Sequence, residues 1–201
     1  MKEILLGTAI LHNVAVLVVP DDQLHYKLPK GEEYQVDGAL GYPVFQALGR
    51  VSFIGEKSIL IGAKSISVTD GTQLYLDGLT PIIFLDMEGA PLPFILDTGA
   101  TSTSMSYAYW MKMAARASGW PRAQSKSAGL GGTKTFDNVV QPEWKARVGN
   151  DEIVLKNVEV DTRPKAGEDS QPMYGRIGQN LWKSAAGFTI DFRSMRFRID
   201  H

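Results

Sequence analysis

The sequence predicts a mainly β protein, built from short strands with a few short helices. Three observations carry this. Apolar and β-branched runs of a few residues recur along the chain, bounded by Gly, Pro, Asn and Asp. Only short stretches, near residues 43–48 and 107–118, have the spacing and stop signals of a helix. The third observation is Pro91-Leu92-Pro93-Phe94-Ile95-Leu96-Asp97-Thr98-Gly99, an apolar run that stops at an acid, a hydroxyl residue and a glycine. Phe94 to Leu96 read as a buried strand. Gly99 then permits a tight turn and close backbone approach. Asp97 is thereby expected at the end of a rigid strand, with its carboxylate at the edge of a core.

The chain has 201 residues, enough for one large domain or a small domain with an appendage. Charged residues are 21% and hydrophobic residues 44%, an ordinary globular balance. The net charge of −1 forces no basic face, so a nucleic-acid partner is not suggested. With no Cys, disulfides, thiolate metal sites and cysteine nucleophiles drop out together. His12, His25 and His201 are too scattered for a zinc pattern. Met1 to Val19 is apolar but interrupted by His12 and Asn13. It makes a poor signal peptide and too broken a membrane span, so the chain as given reads as soluble and without an export address.

Taken in order, Glu3 to Gly7 and Ile10 to Val19 read as strands, the second on the strength of Val14, Val16, Val18 and Val19. Residues 21–36 are polar and read as a loop. Pro43 and Gly49 bracket a short helix. Val51 to Ile54 and Ser58 to Ile61 form a hairpin around Gly55-Glu56-Lys57. Residues 62–72 read as a linker. Gln73 to Tyr75, Ile82 to Met87 and Leu92 to Leu96 are strands, the last two joined by Glu88-Gly89-Ala90. Ser106 caps a helix over Tyr107 to Ser118, with Tyr107, Trp110, Met111, Ala114 and Ala115 as its apolar face. Lys126 to Phe136 is a glycine-rich hairpin. It fails as a phosphate-binding loop because Thr133 stands between Gly132 and Lys134. Trp144 to Val148, Ile153 to Val160, Phe188 to Phe192 and Arg196 to Ile199 complete the strands, with residues 163–172 a polar loop.

The run Ile95-Leu96-Asp97-Thr98-Gly99-Ala100 with Thr103 resembles the active-site loop of aspartic proteases, especially the single-lobe retroviral type, the retropepsins. An Asp-Gly surface turn is the plain alternative for the tripeptide alone. Tyr174-Gly175-Arg176-Ile177-Gly178-Gln179-Asn180-Leu181 resembles the end of the same lobe, where an apolar-Gly-x-Asn-Leu segment enters a short helix. Head and tail lie in the right order and spacing over roughly residues 73–199. The resemblance implies a closed β-barrel or sandwich lobe with short helices. It implies a peptide hydrolase in which Asp97 is catalytic, Thr98, Gly99, Ala100 and Thr103 brace the loop, and Gly178 and Asn180 support it. Gly129, Leu130, Gly131, Gly132 and Thr133 fall where the flap closes over a bound peptide, excluding water. A simple flexible hairpin is the alternative for them. No metal, cofactor or covalent intermediate is implied. Bacterial proteins of this kind are commonly exported, so a periplasmic or secreted setting is implied too.

An internal repeat extends this reading. Leu11-His12-Asn13-Val14-Ala15-Val16 matches Leu155-Lys156-Asn157-Val158-Glu159-Val160 at one constant offset, which Pro20 and Pro164 keep. Gly38-Ala39-Leu40-Gly41 matches Gly175-Arg176-Ile177-Gly178, and Val51 to Ile54 align loosely with Thr189 to Phe192. Residues 1–62 are thus expected to be the back half of a second lobe, 63–72 a linker, and 73–201 a complete lobe. In aspartic proteases two carboxylates about 3 Å apart share one proton. One acts as base towards water and the other as acid towards the scissile carbonyl. This chain offers one such loop. The second Asp is expected from a homodimer mate or from an upstream lobe of a longer precursor. The competing reading is a non-catalytic dimerisation or peptide-binding module of the same fold. A serine hydrolase is more distant, since Ser102 and Ser104 lack a Gly-x-Ser-x-Gly elbow and a placed His.

Overall fold

The computed structural model describes residues 1–20, 25–27, 33–55, 57–62, 64–129, 132–164 and 172–201. The chain begins with a hairpin, β1 (Glu3–Leu6) and β2 (Ala9–His12), and a small ladder, β3 (His25–Lys27) with β4 (Glu33–Gln35). Helix α1 (Tyr42–Leu48) starts with Pro in its first turn and ends at Gly49 (φ 81), whose amide bonds to the carbonyls of Phe45 and Gln46. A hairpin follows, β5 (Arg50–Ile54) and β6 (Ser58–Ile61). Then come β7 (Thr72–Asp77), β8 (Thr80–Met87), β9 (Ala90–Leu96), β10 (Ser104–Met105) and α2 (Tyr107–Met113). The rest is β11 (Arg122–Gly129), β12 (Gly132–Val148), β13 (Asp151–Asp161), β14 (Gly175–Ile177), β15 (Gly187–Asp191) and β16 (Arg196–Asp200). The protein is mainly β, as expected.

Six strands close on themselves. β8 pairs with β9, β9 with β14, β14 with β10, β10 with β13, and β13 with β12; β12 returns to β8 at Arg147 and Asp86. Closure removes free strand edges. Inside lie Ile83, Leu85, Phe94, Trp144, Val148, Val160 and Ile177, all fully buried. Phe94 and Trp144 meet edge to face with ring centroids 6.0 Å apart. The β8–β9 turn is two residues, Glu88 (φ 56) and Gly89 (φ 84), and Asp86 accepts a hydrogen bond from the Gly89 amide at 2.9 Å. That double left-handed conformation matches the twist of the flanking strands.

Beside this barrel runs a ladder in the order β7, β16, β15, β5, β6. β15 is paired on both edges, with β16 and β5. Ser52 and Thr189 face each other in the β5–β15 register, and their hydroxyls bond at 2.5 Å. This pairing keeps the spacing of Gly41 to Gly178. It therefore moves the repeat by one residue from the alignment of Val51 with Thr189.

Several expectations change. The β-branched run after His12 is not a strand: residues 14–20 have no sheet partner, and Leu17 and Val18 are exposed. Propensity without a pairing neighbour does not make a strand. Within 21–36, read as a loop, the described residues hold the β3–β4 ladder, and 21–24 and 28–32 lie outside the described residues. The stretch read as a linker is packed in its described part. Ile66 is 2% exposed, its amide and the Ser65 hydroxyl bond to Asp191, and Arg196 grips the carbonyls of Val68, Asp70 and Gly71. α2 is shorter than expected and turns into a 3₁₀ segment, Ala114–Arg116. Its buried face centres on Tyr109, while Met111, Ala114 and Ala115 are exposed. The Tyr109 hydroxyl reaching Gln141 at 2.8 Å fixes that rotation. Most of the polar loop at 163–172 lies outside the described residues. Among the described residues, no helix is long and apolar enough to cross a membrane.

Candidate active site

The site is organised by β14, which lies between β9 and β10 although it comes some eighty residues later in the chain. It runs parallel to β9 and antiparallel to β10. Its glycines make the fit possible. A Cβ on Gly175 would stand 2.4 Å from the Ser104 carbonyl oxygen, and one on Gly178 would stand 2.6 Å from the backbone of Ser102. Only glycine admits backbones this close. Ile177 points into the core, and its carbonyl accepts the Asp97 amide at 3.0 Å.

Asp97 follows the last residue of β9. Its Oδ1 accepts the amides of Gly99 at 3.0 Å and Ala100 at 3.2 Å, so the loop folds back onto its own acid. Its Oδ2 accepts from Arg176 Nη1 at 2.7 Å. The side chains of Asp97 and Arg176 are 30% and 53% exposed, so the pair opens to solvent. The partner on Oδ2 is thus a guanidinium rather than a second carboxylate.

Behind the loop, Thr103 is 2% exposed. Its Oγ1 donates to Asn180 Oδ1 at 2.7 Å and accepts the Gly178 amide at 3.1 Å. The Thr103 amide donates to the same Asn180 oxygen at 2.8 Å. Gln179 adds two links, its amide to the Ala100 carbonyl and its Nε2 to the Thr98 carbonyl, both at 2.8 Å. Asp97, Thr98, Gly99, Ala100, Thr103, Gly178 and Asn180 are therefore brought together by one connected hydrogen-bond network. Thr98 enters it through its carbonyl. Arg176 and Gln179 belong to the same network and were not singled out from sequence. The signal for Arg176 was a lone charge in an apolar, glycine-flanked strand.

The glycine-rich hairpin is the β11–β12 ladder, in which Ala128 pairs with Thr133 and Gly129 with Gly132. Leu130 and Gly131 lie outside the described residues. Nearer its base, Asn138 Nδ2 donates to Ser125 Oγ at 2.8 Å, and Arg163 stacks on Phe136 at 4.3 Å from the ring centre.

Residues 84–181, just under half of the chain, match the model of a known family, the aspartyl proteases. The matched span runs from β8 through the Asp97 loop to the turn after Gly178, and so contains the whole network above. Over that span the chain is similar to aspartyl proteases, which supports an aspartic type of peptidase. No curated protein matches the chain.

Proposed function

We propose that the protein is a retropepsin-like endopeptidase in which Asp97 activates water for attack on a peptide bond. One observation carries this reading. Asp97 stands at the end of a barrel strand, with one oxygen fixed by its own loop and the other paired with the half-exposed Arg176, inside a segment similar to aspartyl proteases. The inner oxygen orients the carboxylate, and the outer one meets the reacting water once Arg176 has moved off it. A second carboxylate must complete the site, since a single Asp cannot act as base and acid in the same step. In this reading the β11–β12 hairpin is the flap that covers the peptide, and the setting is periplasmic or secreted.

The repeat bears on where the second Asp comes from. Gly7 (φ 59) and Gly149 (φ 61) turn corresponding hairpins, and Asn13 (φ 55) and Asn157 (φ 54) share the uncommon left-handed conformation at matching positions. Both α1 and the 3₁₀ turn at Gln179–Leu181 lead into a two-stranded hairpin, and those hairpins pair about Ser52 and Thr189. Residues 1–62 accordingly act as the back half of a second lobe, and 73–201 as a complete one. β5 already fills the edge of β15 through which a second copy would add. A second Asp-Thr-Gly lobe of the upstream kind therefore fits the second carboxylate better than a homodimer built on β15.

The test is cleavage of a peptide library between pH 3 and 7 by wild type and Asp97→Asn, each supplied with a second Asp-Thr-Gly lobe. The substitution keeps the shape and removes the charge. The expected loss is roughly 10³-fold or more, if cleavage depends on this acid. Undiminished cleavage by Asp97→Asn would sink the proposal. A second reading, a peptide-binding module without catalysis, is favoured by the guanidinium on Asp97 Oδ2. Peptide binding without cleavage, in the presence of a second Asp-Thr-Gly lobe, would select it.

A further inference from the structure

The contact between Arg176 and Asp97 is built into the fold. Gly175 and Gly178 fix the β14 backbone within van der Waals limits of β10 and the Asp97 loop. Ile177 is buried, so the alternation of the strand turns Arg176 outward on the side where Asp97 opens to solvent. Its guanidinium then occupies the one Asp97 oxygen that the loop amides leave free.

That placement conflicts with the proposed chemistry unless the guanidinium moves. Oδ2 is the oxygen that must meet the attacking water and a partner carboxylate. A half-exposed ion pair such as this one is weak, and an acidic group brought beside it competes for the guanidinium, whose planar fork matches a carboxylate in charge and geometry. Within the chain, Glu159 stands in the same cross-strand row, separated from Arg176 by Ser104. A peptide lying over β14 offers the other source, an acidic side chain beside the scissile bond.

Resting on the peptidase reading above, we propose that Arg176 is the specificity-determining residue of this site, and that it selects peptides with Asp or Glu next to the bond that is cut. An acidic substrate side chain takes the guanidinium and frees Asp97 Oδ2 for water. A neutral side chain leaves Arg176 on Asp97 and the site closed. Recognition and release of the acid are then one exchange of ion pairs.

The experiment uses the full chain and pairs of fluorogenic decapeptides, identical except for Glu or Gln beside the central apolar residue. Binding is measured by fluorescence anisotropy and cleavage by release of the fluorophore, for wild type, Arg176→Leu, Arg176→Lys and Glu159→Gln. Arg176 is largely exposed, and thermal melting checks that the variants fold. Wild type is expected to bind the Glu peptide about threefold more tightly than its Gln twin, the scale of an exposed ion pair. Arg176→Leu brings the ratio to about one, Arg176→Lys keeps part of it, and Glu159→Gln leaves it in place. Equal binding of the twins by wild type, no binding of either, or a preference that survives Arg176→Leu would each overturn the proposal. The binding ratio is read without chemistry. A chain that prefers the Glu peptide yet cuts neither twin, even beside a second Asp-Thr-Gly lobe, would refute the peptidase reading and leave the selectivity standing.

Discussion

At the scale of single residues, the most informative acid outside the site is Asp191. It is fully buried, and accepts hydrogen bonds from the amides of Ile66, Arg193 and Ser194 and from the Ser65 hydroxyl. Burial pushes its carboxyl up, but the bonds from Ser194, Ile66 and Arg193 outweigh that and hold it below its ordinary value of 3.8. A carboxyl held down in the folded state adds stability above its unfolded pKa and loses it as pH falls through the folded one. Urea denaturation should therefore show stability dropping once pH goes below about 4. Asp191→Asn should reduce that dependence and cost about 1–3 kcal/mol at pH 7. A flat acid limb in the wild type would contradict this. Tyr109 gives the opposite limb. Burial raises its hydroxyl to about 12, so its stabilising effect is complete below pH 10 and fades between 10 and about 12.

Thr103 belongs to the same scale. Thr103→Val removes the hydroxyl shared by Asn180 and Gly178 and leaves the Gly178 amide without its partner. A cost of about 1–3 kcal/mol is expected, with recovery in Thr103→Ser, as measured by denaturant midpoint. Equal stability of the Val and Ser variants would show that the hydroxyl is not what holds the loop.

At the scale of elements, β14 decides the site. It ties the strand that carries Asp97 to the strand that leaves its loop, with Gly175 making room for β10 and Gly178 for the loop itself. Gly178→Ala should push the Asp97 loop away from β14. It should cost about 1–3 kcal/mol and more activity than that loss of stability explains. Melting temperature and kcat, measured together, separate the two effects; unchanged values of both would refute the account of β14. Much of this site was legible in the chain. Asp97-Thr98-Gly99-Ala100, Thr103, Gly178 and Asn180 stand in two short segments whose types and spacing point to one loop and its support. The bond from Arg176 to Asp97 was not legible, because a charge in a short strand does not reveal which face it takes until its neighbours are placed. The rotation of α2 was missed for a related reason. Its apolar residues surround the helix almost evenly, and Gln141 on a distant strand chooses Tyr109 as the inner one.

At the scale of the whole molecule, β15 has a partner on each edge, which leaves no strand edge there for a second copy. If the second carboxylate comes from an upstream lobe rather than a mate docked on β15, the purified chain should run as a monomer of 22.1 kDa in light scattering. A mass near twice that value, lost on disturbing the Ser52–Thr189 pair, would restore the homodimer as the source of the second carboxylate. The segment at 62–72 teaches the same lesson at this scale. Its small polar residues look like a spacer, yet Asp191 and Arg196 bind its backbone and fasten one part of the molecule to the other.

The amino-acid sequence by itself determined the β class, the hairpins set by their turn residues, and the Asp97 loop with its glycine-rich support. These follow from local chemistry: side-chain alternation, the φ range open to glycine, and residue types at fixed spacing. Tertiary structure alone decided that the valine-rich run after His12 stays out of every sheet, that β5 fills the edge of β15, and that a guanidinium rests on the open oxygen of Asp97. Each of these depends on which strand lies beside which, and that is settled by contacts between residues far apart in the chain.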